Sequence, residues 1–357
     1  MKIRLVKAWL QQLPLTKPYS IAYKTIYDTE IVFLEITLEN GITGIGAANP
    51  FAEVVGETPA VTLANLQKDF VQGFIGRDIR YFNQLIDEAL MQFPHLPGTI
   101  AAIDIALHDA FCQLIGIPIV DFYGRKKDAL PTSITIGIKE TAAMLEEAKA
   151  NFAAGFKVIK IKTGLDAEQD IERVSKLTEQ FGNKMKIRVD ANQGYDIIQL
   201  QYFIEQTKHL SIELIEQPLP VSKENKLTIL DEPHRKLLAA DESLIDADSA
   251  LQLSYPPKAY GIFNIKLMKS GGIRGAKEIA LIAAKAGIDL FWGCNDESRA
   301  SIAAALHAAY SCSNTKYIDL DGSFDLSKDF VEGGFILKDG FMYCTDEPGL
   351  GVKRIEG

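Results

Sequence analysis

Four phrases in the middle of the chain decide its fold: Val158-Ile159-Lys160-Ile161-Lys162, Lys186-Ile187-Arg188-Val189-Asp190, Glu213-Leu214-Ile215-Glu216-Gln217 and Leu237-Leu238-Ala239-Ala240-Asp241. Each is an apolar run of strand length with a charged residue at or next to its end. Runs of the same texture lie upstream at Ser133–Ile138 and downstream at Gly261–Lys266, Asp289–Cys294 and Tyr317–Asp321, with helix-length text between them. Their C-terminal ends follow one another at gaps of about 24–28 residues, the length of one strand–helix unit. Eight strands at so even a period predict a closed parallel barrel rather than an open doubly wound sheet. No Gly-x-Gly-x-x-Gly follows any strand, and the nearest approach, Gly271-Gly272-Ile273-Arg274-Gly275, is weak evidence for phosphate binding.

Outward from the barrel the texture changes. Ile3 to Leu13 and Glu30 to Leu38 look like antiparallel strands, the second ending at Glu39-Asn40-Gly41, where Asn-Gly suits a tight hairpin turn. Helix-spaced apolar residues follow over Pro59–Phe70, Ile79–Met91 and Thr99–Leu114, the last stopping at Gly116-Ile117-Pro118. From about Phe324 the text is rich in turns, with Gly333-Gly334, Asp339-Gly340 and Pro348-Gly349-Leu350-Gly351, and is expected to return onto the first block. The expected organisation is α/β: a modified (β/α)7β barrel over 125–324, with an α+β capping domain made of 1–124 and completed by 325–357.

Composition narrows the partners. At 357 residues, 47% hydrophobic and 24% charged, the chain is an ordinary globular protein, which excludes disorder, collagen and coiled coil. Its 38 Lys and Arg against 47 Asp and Glu give a net charge of −9, a field that repels phosphate backbones and anionic membranes. The cysteines at 112, 294, 312 and 344 form no Cys-x-x-Cys pair, so neither a disulfide framework nor a cysteine zinc site is suggested. The start of the chain lacks a signal-peptide pattern, and no long uninterrupted apolar run follows. A cytoplasmic protein with a small-molecule partner, and neither nucleic acid nor membrane, is expected.

Active sites of such barrels form at the C-terminal ends of the strands. Here that rim offers Lys160 and Lys162, Asp190, Glu216, Asp241, Lys266, and then Asp319 with Asp321. Asp190, Glu216 and Asp241 end three successive strands, so closure would converge their carboxylates. Three such carboxylates need a cation, and oxygen ligands without nearby His or Cys suit Mg²⁺ better than Zn²⁺. Lys162 and Lys266 fall on the second and sixth strands, on opposite sides of that triad. Two such amines can remove or deliver a proton on either face of one carbon. A lowered lysine pKa is expected there, since Lys160 is a like charge beside Lys162 and a dication would be close. The five histidines occupy loop or helix text, and no Gly-x-Ser-x-Gly or Cys/His pairing argues for acyl transfer.

At these residues the sequence resembles the enolase superfamily, in particular its muconate-lactonizing-enzyme-like subgroup and, within that, the dipeptide epimerases. Lys160-Ile161-Lys162 is similar to the Lys-x-Lys motif of the second barrel strand. Asp190-Ala191-Asn192, Glu216-Gln217-Pro218 and Asp241-Glu242-Ser243 resemble the three metal-ligand motifs, and Asn264-Ile265-Lys266 the sixth-strand lysine motif. The resemblance implies one Mg²⁺ per site and metal-assisted removal of the proton α to a carboxylate, giving an enediolate. It implies Lys162 and Lys266 as the acid/base pair, with Lys160 contacting the substrate carboxylate and Asn192 supporting the ligand set.

Tyr317-Ile318-Asp319-Leu320-Asp321-Gly322 resembles the Asp-x-Asp of dipeptide epimerases, whose carboxylates bind the substrate's free α-ammonium group. Thr135, Asp296 and Lys24 are the further substrate contacts expected. Lys24 stands where Ala-Glu epimerases are expected to carry arginine, and lysine grips carboxylate without the bidentate fork. Tyr19, Ile21, Tyr23, Phe51, Val54 and Val55 add apolar surface nearby. The expected substrate is therefore an L-Ala-Xaa dipeptide with a broad or hydrophobic-leaning Xaa. L-Ala-D/L-Glu epimerisation, succinylbenzoate-synthase or muconate-cycloisomerase chemistry and N-acylamino acid racemisation are the alternatives. The resemblance is compatible with a homo-oligomer.

Overall fold

The computed structural model describes residues 1–20 and 25–355. Eight strands, Ser133–Ile136, Val158–Lys162, Lys186–Asp190, Ile212–Glu216, Leu238–Ala240, Ile262–Ile265, Asp289–Trp292 and Thr315–Ile318, lie side by side in chain order, each parallel to the next. A parallel bridge from Thr132 to Ile318 brings the eighth strand against the first, and Leu320 N donates to Thr132 Oγ1 across that seam at 2.9 Å. The strand interiors are buried on both faces, so their residues read as continuous Val/Ile/Leu runs rather than alternating ones.

Several strands are shorter than their sequence suggests. Pairing ends at Ala240, Ile265, Trp292 and Ile318, so Asp241, Lys266, Asp319 and Asp321 stand on the loops just beyond. These loops rather than the strands aim the charged side chains. Lys266 itself is the extended residue from which the short helix Leu267–Ser270 begins.

The N-terminal block is a three-stranded antiparallel sheet, Ile3–Ser20, Thr25–Leu38 and Thr43–Ala48, with Asn40-Gly41 in the turn before the third strand. Gly41 has φ +89°, which glycine adopts without strain. Helix Pro97–Ile115 packs on this sheet and is buried over most of its length, ending at Gly116 with φ +76°. It is long and apolar enough to cross a membrane, and the core of this molecule is where that apolar surface is covered. The expected helix over Pro59–Phe70 breaks into Pro59–Leu66 and Asp69–Gln72 because Lys68 is extended.

Two contacts join the layers. Asp104 on the long helix accepts from Ile273 N and Arg274 N at 2.6 and 3.3 Å, capping a barrel helix across the interface. The tail returns onto the first sheet: Leu326 and Val331 pack with Leu13, Leu15, Ile31 and Phe33, while Phe330 meets Trp9 edge-on and Phe33 at a tilt.

The long helix lies unusually close to the third strand because Gly44 and Gly46 face Ala102, Ala106 and Ala110. A Cβ at Gly46 would sit 2.0 Å from the Ala102 carbonyl oxygen, and one at Gly44 2.2 Å from that of Ala106. Gly46→Ala must push helix from sheet and should cost about 1–3 kcal/mol, as overpacking does. The measurement is the urea midpoint by circular dichroism, and an unchanged midpoint would contradict this packing.

Candidate active site

The sequence-predicted rim residues converge. Lys162 pairs in register with Asp190, and Asp190 with Glu216, so the third and fourth strands present their carboxylates side by side. Asp190, Glu216 and Asp241 are all buried. Lys160 Nζ lies among three acids, 2.7 Å from Glu216, 2.9 Å from Asp319 and 3.2 Å from Asp190. Lys162 Nζ donates to Asp190 Oδ2 at 2.6 Å, and Lys266 Nζ to Asp241 Oδ2 at 2.9 Å. The two lysines thus approach the acidic centre from different carboxylates, and both line the two cavities that open beside it.

Backbone strain aims the ligand loops. Asn192, Gln193 and Gln217 have φ of 43°, 69° and 34°, in the left-handed region that few non-glycine residues occupy. Gln217 is held there by its own amide: Oε1 accepts from Asp241 N and Ser243 N, and Nε2 donates to Ser243 Oγ, Leu219 O and Tyr260 Oη. One side chain therefore ties the loop after Glu216 to the loop carrying Asp241. Asn264 Nδ2 donates to Glu216 Oε1 at 2.7 Å, and Asn192 N to Asp190 Oδ1 at 2.9 Å.

The surrounding carboxylates set the electrostatics of Lys160 and Lys266. Burial opposes the charge on Lys160, but Asp319, Glu216 and Asp190 outweigh it and raise its pKa well above the ordinary value. Lys266 is likewise raised, because Asp241 and Glu216 overcome burial and the like charge of Lys160. The lowered lysine is Lys269, where burial exceeds the help of Asp241 and Lys266 repels it. Glu216 is pushed up to about 8 by burial and by Asp190, and Glu242 to about 7 by burial with Asp241 and Asp190.

These values bear on whether a hard cation suits the mouth. Glu216 Oε2, Glu242 Oε2 and Asn192 Oδ1 are buried without a hydrogen-bond partner; Lys160 stands near the first of them but outside hydrogen-bonding geometry. Buried oxygens left unpaired are costly, and a divalent cation satisfies several at once. As the side chains stand, no three acidic, His or Cys groups among the described residues enclose a single point. The ammonium groups of Lys160, Lys162 and Lys266 pair with these carboxylates, so a bound ion would have to share or take over oxygens the lysines hold. The all-oxygen donor set fits Mg²⁺.

The Asp-x-Asp pair is unequal. Asp319 accepts from Lys160 Nζ at 2.9 Å and Ser133 Oγ at 2.5 Å, and these partners lower its pKa against burial. Asp321 accepts from Thr135 N at 2.7 Å, and burial with the charge of Asp319 pushes it up to about 7. Asp321 is therefore the member still needing a positive partner. Thr135 and Asp296 line the cavities, and Lys24, Ile21 and Tyr23 lie outside the described residues.

Sequence reasoning missed Lys269, Glu242 and Asn49. Asn49 latches the cap to the seventh-strand loop: Nδ2 donates to Asp296 O at 2.7 Å, and its carbonyl accepts from Asn295 Nδ2 at 2.9 Å. The Lys266-x-x-Lys269 spacing, one helical turn, was a readable signal for Lys269.

Comparison with known proteins agrees with this geometry. Residues 5–124 match the family model for the mandelate racemase / muconate lactonizing enzyme N-terminal domain, and 143–356 the model called enolase C-terminal domain-like. The chain belongs to the enolase superfamily. It is 49% identical over 355 residues to an L-Lys-D/L-Arg epimerase of Desulforapulum autotrophicum, covering 99% of this chain and 100% of that protein. A hydrophobic dipeptide epimerase of Enterococcus faecalis is 34% identical over 359 residues, covering 99% and 100%. Among solved structures, the dipeptide epimerase of Methylococcus capsulatus complexed with Mg and L-Arg-D-Lys superposes with a TM-score of 0.97 at 47% identity, covering 99% of each chain.

If Glu216 and Glu242 hold protons because they lack a cation, Mg²⁺ must displace them. Titration calorimetry at pH 7 in buffers of different ionisation enthalpy should report release of about one proton per Mg²⁺. The release should shrink as pH rises through about 8, where Glu216 is already ionised. Binding with no buffer dependence at pH 7 would contradict the assignment.

Proposed function

We propose that this chain is a Mg²⁺-dependent dipeptide epimerase that inverts the α-carbon of the C-terminal residue by moving a proton from one face to the other. The observation that carries the reading is the pair Lys162 and Lys266, each seated on a different carboxylate of the acidic centre and both facing the same cavities. One lysine removes the α-proton as a neutral amine, and the other, as ammonium, returns a proton to the opposite face. Asp190, Glu216 and Asp241 would hold the Mg²⁺, which supplies the positive charge that makes a carboxylate's α-proton acidic enough to leave. The raised pKa of Lys266 belongs to an amine paired with Asp241. Loss of that carboxylate to the cation removes its largest stabilising partner, the direction a base needs.

Asp321, with Asp319 behind it, is suited to the α-ammonium group of the first residue. That places the first side chain in the cavity of about 320 Å³ lined by Thr135, Glu147, Asn151 and Asp325. The second side chain takes the cavity of about 430 Å³ beneath the cap. The outer wall of that larger cavity carries the acids Asp28 and Glu30. Such a wall favours a cationic side chain, and the relatives that act on Lys and Arg dipeptides support the same choice. A second reading, aliphatic dipeptides, is favoured by Pro50, Phe51, Val54 and Val55 in that wall. It keeps the broad specificity that the sequence suggests.

The test is mass spectrometry of dipeptides incubated with enzyme and Mg²⁺ in D₂O. L-Lys-L-Arg and related cationic dipeptides should gain one α-deuteron, with aliphatic ones slower and acidic ones slowest. No exchange in any dipeptide would overturn the epimerase reading. Asp321→Asn should raise KM by about 10–100-fold, the worth of a charged hydrogen bond of about 1.5–3 kcal/mol. Glu30→Gln should narrow the preference for cationic over aliphatic second residues with little change in kcat; an unchanged preference would contradict the acidic wall.

A further inference from the structure

Lys269 is buried directly behind the acid/base residue Lys266, and all of its donors are committed. Its Nζ donates to Asp241 Oδ1 at 2.5 Å, to Asp241 O at 2.6 Å and to Asn264 O at 3.2 Å. An ammonium group has three N–H donors, so none is left for substrate. Asp241 divides its carboxylate accordingly: Oδ1 goes to Lys269, while Oδ2 takes Lys266 at 2.9 Å. Both lysines lie on the short segment 266–270, one turn apart, so neither moves far without the other.

This division has a chemical consequence. A carboxylate in a nearly dry site keeps a counter-ion on each oxygen it can. With Lys269 fixed on Oδ1, a cation arriving at Oδ2 finds the other oxygen already satisfied, and Lys266 is left without an oxygen of Asp241 to bind. Without Lys269, Oδ1 becomes the natural resting place for the displaced Lys266 ammonium. That ammonium would then be held as a structural ion rather than released to exchange protons with the substrate.

We infer that Lys269 is a positioning residue that acts through Asp241, occupying Oδ1 permanently so that cation binding at Oδ2 frees Lys266. The inference rests on the two-lysine reading of the site. It makes no demand on which hand of the α-carbon Lys266 serves, because Lys266→Ala identifies that hand experimentally: exchange of one stereoisomer with solvent deuterium should vanish while the other continues.

The experiment measures α-proton exchange in D₂O separately for L-Lys-L-Arg and L-Lys-D-Arg, in wild type, Lys266→Ala, Lys269→Gln and Lys269→Arg. Mg²⁺ affinity of each metal-free protein is measured by calorimetry. Lys269→Gln should lose about tenfold or more in exchange of the same hand that Lys266→Ala abolishes, with the other hand within about threefold of wild type. Its Mg²⁺ affinity should be retained or tightened, since a positive charge has left the neighbourhood of a ligand. Equal loss of both hands, loss confined to the other hand, or Mg²⁺ binding weakened by about tenfold would overturn the inference, because Lys269 would then merely hold Asp241 in place. Lys269→Arg, which keeps the charge, should retain both hands within about threefold, and an equal loss of both would overturn it as well. No exchange of either dipeptide by wild type would overturn the epimerase reading itself. Balanced exchange in wild type with balanced loss in Lys269→Gln overturns only the role of Lys269.

Discussion

Charge balance in a nearly dry space is the constraint on which the rest of this structure depends. The barrel mouth gathers six carboxyl groups, Asp190, Glu216, Asp241, Glu242, Asp319 and Asp321, against four ammonium groups, Lys160, Lys162, Lys266 and Lys269. Two charges remain to be met. Burial and the neighbouring acids push Glu216 up to about 8 and Glu242 and Asp321 up to about 7, so protons offset part of that surplus when no cation is present. A divalent cation held by these acids would meet them in another way, and the lysines would then be less tied up as counter-ions. Catalytic readiness and metal binding are thus one electrostatic problem.

The fold solves the geometric half of that problem. Parallel strands in strict order bring residues far apart in sequence to adjacent places on one rim, and the seam between the eighth and first strands adds Asp319 next to Lys160 and Ser133. Beneath the rim, Arg188 fills the barrel, bonded to Glu213, Ser133 Oγ and the Ile318 carbonyl and lying over Phe291 and Tyr317. Lys160 lies over the same Phe291 ring. The interior is therefore a ladder of cations on aromatic faces with acids at the ends, a rigid floor for a site whose upper charges must change partners.

What could be read in the sequence follows from this division. The strand ends were legible because barrel closure imposes a period, and because a charge at the end of an apolar run is conspicuous: Lys162, Asp190 and Glu216 fall at strand ends where the pattern put them. Asp241, Lys266, Asp319 and Asp321 were legible as residues but not as loop residues, since pairing stops at Ala240, Ile265 and Ile318, just before them, and nothing in the apolar pattern marks that stop. Lys269 was legible only as a lysine one helical turn from Lys266, and the roles of Lys269 and Gln217 were not legible. Their roles consist of hydrogen bonds to partners on neighbouring segments, and no periodicity marks such bonds. The carboxylates that surround Lys160 and Lys266 and raise their pKa were not legible either, because they can be counted only in three dimensions.

In the proposed function the wall for the second side chain and the reaction centre come from different parts of the chain, and the joint between them is narrow. The lysines and acids at the centre stand on the barrel, whereas Asp28, Glu30 and Glu53 reach the larger cavity from the cap. Asn49 and Thr29 bind the carbonyl of Asp296, so the cap is registered against a backbone atom of the seventh-strand loop. A backbone anchor is indifferent to the side chain at 296, which leaves that side chain and the cap walls free to vary while the reaction centre stays fixed. On this architecture, a change of substrate charge requires new side chains on the cap and rim but no rearrangement of the six acids and four lysines beneath. The same proton transfer can then serve cationic or aliphatic dipeptides according to what lines the wall.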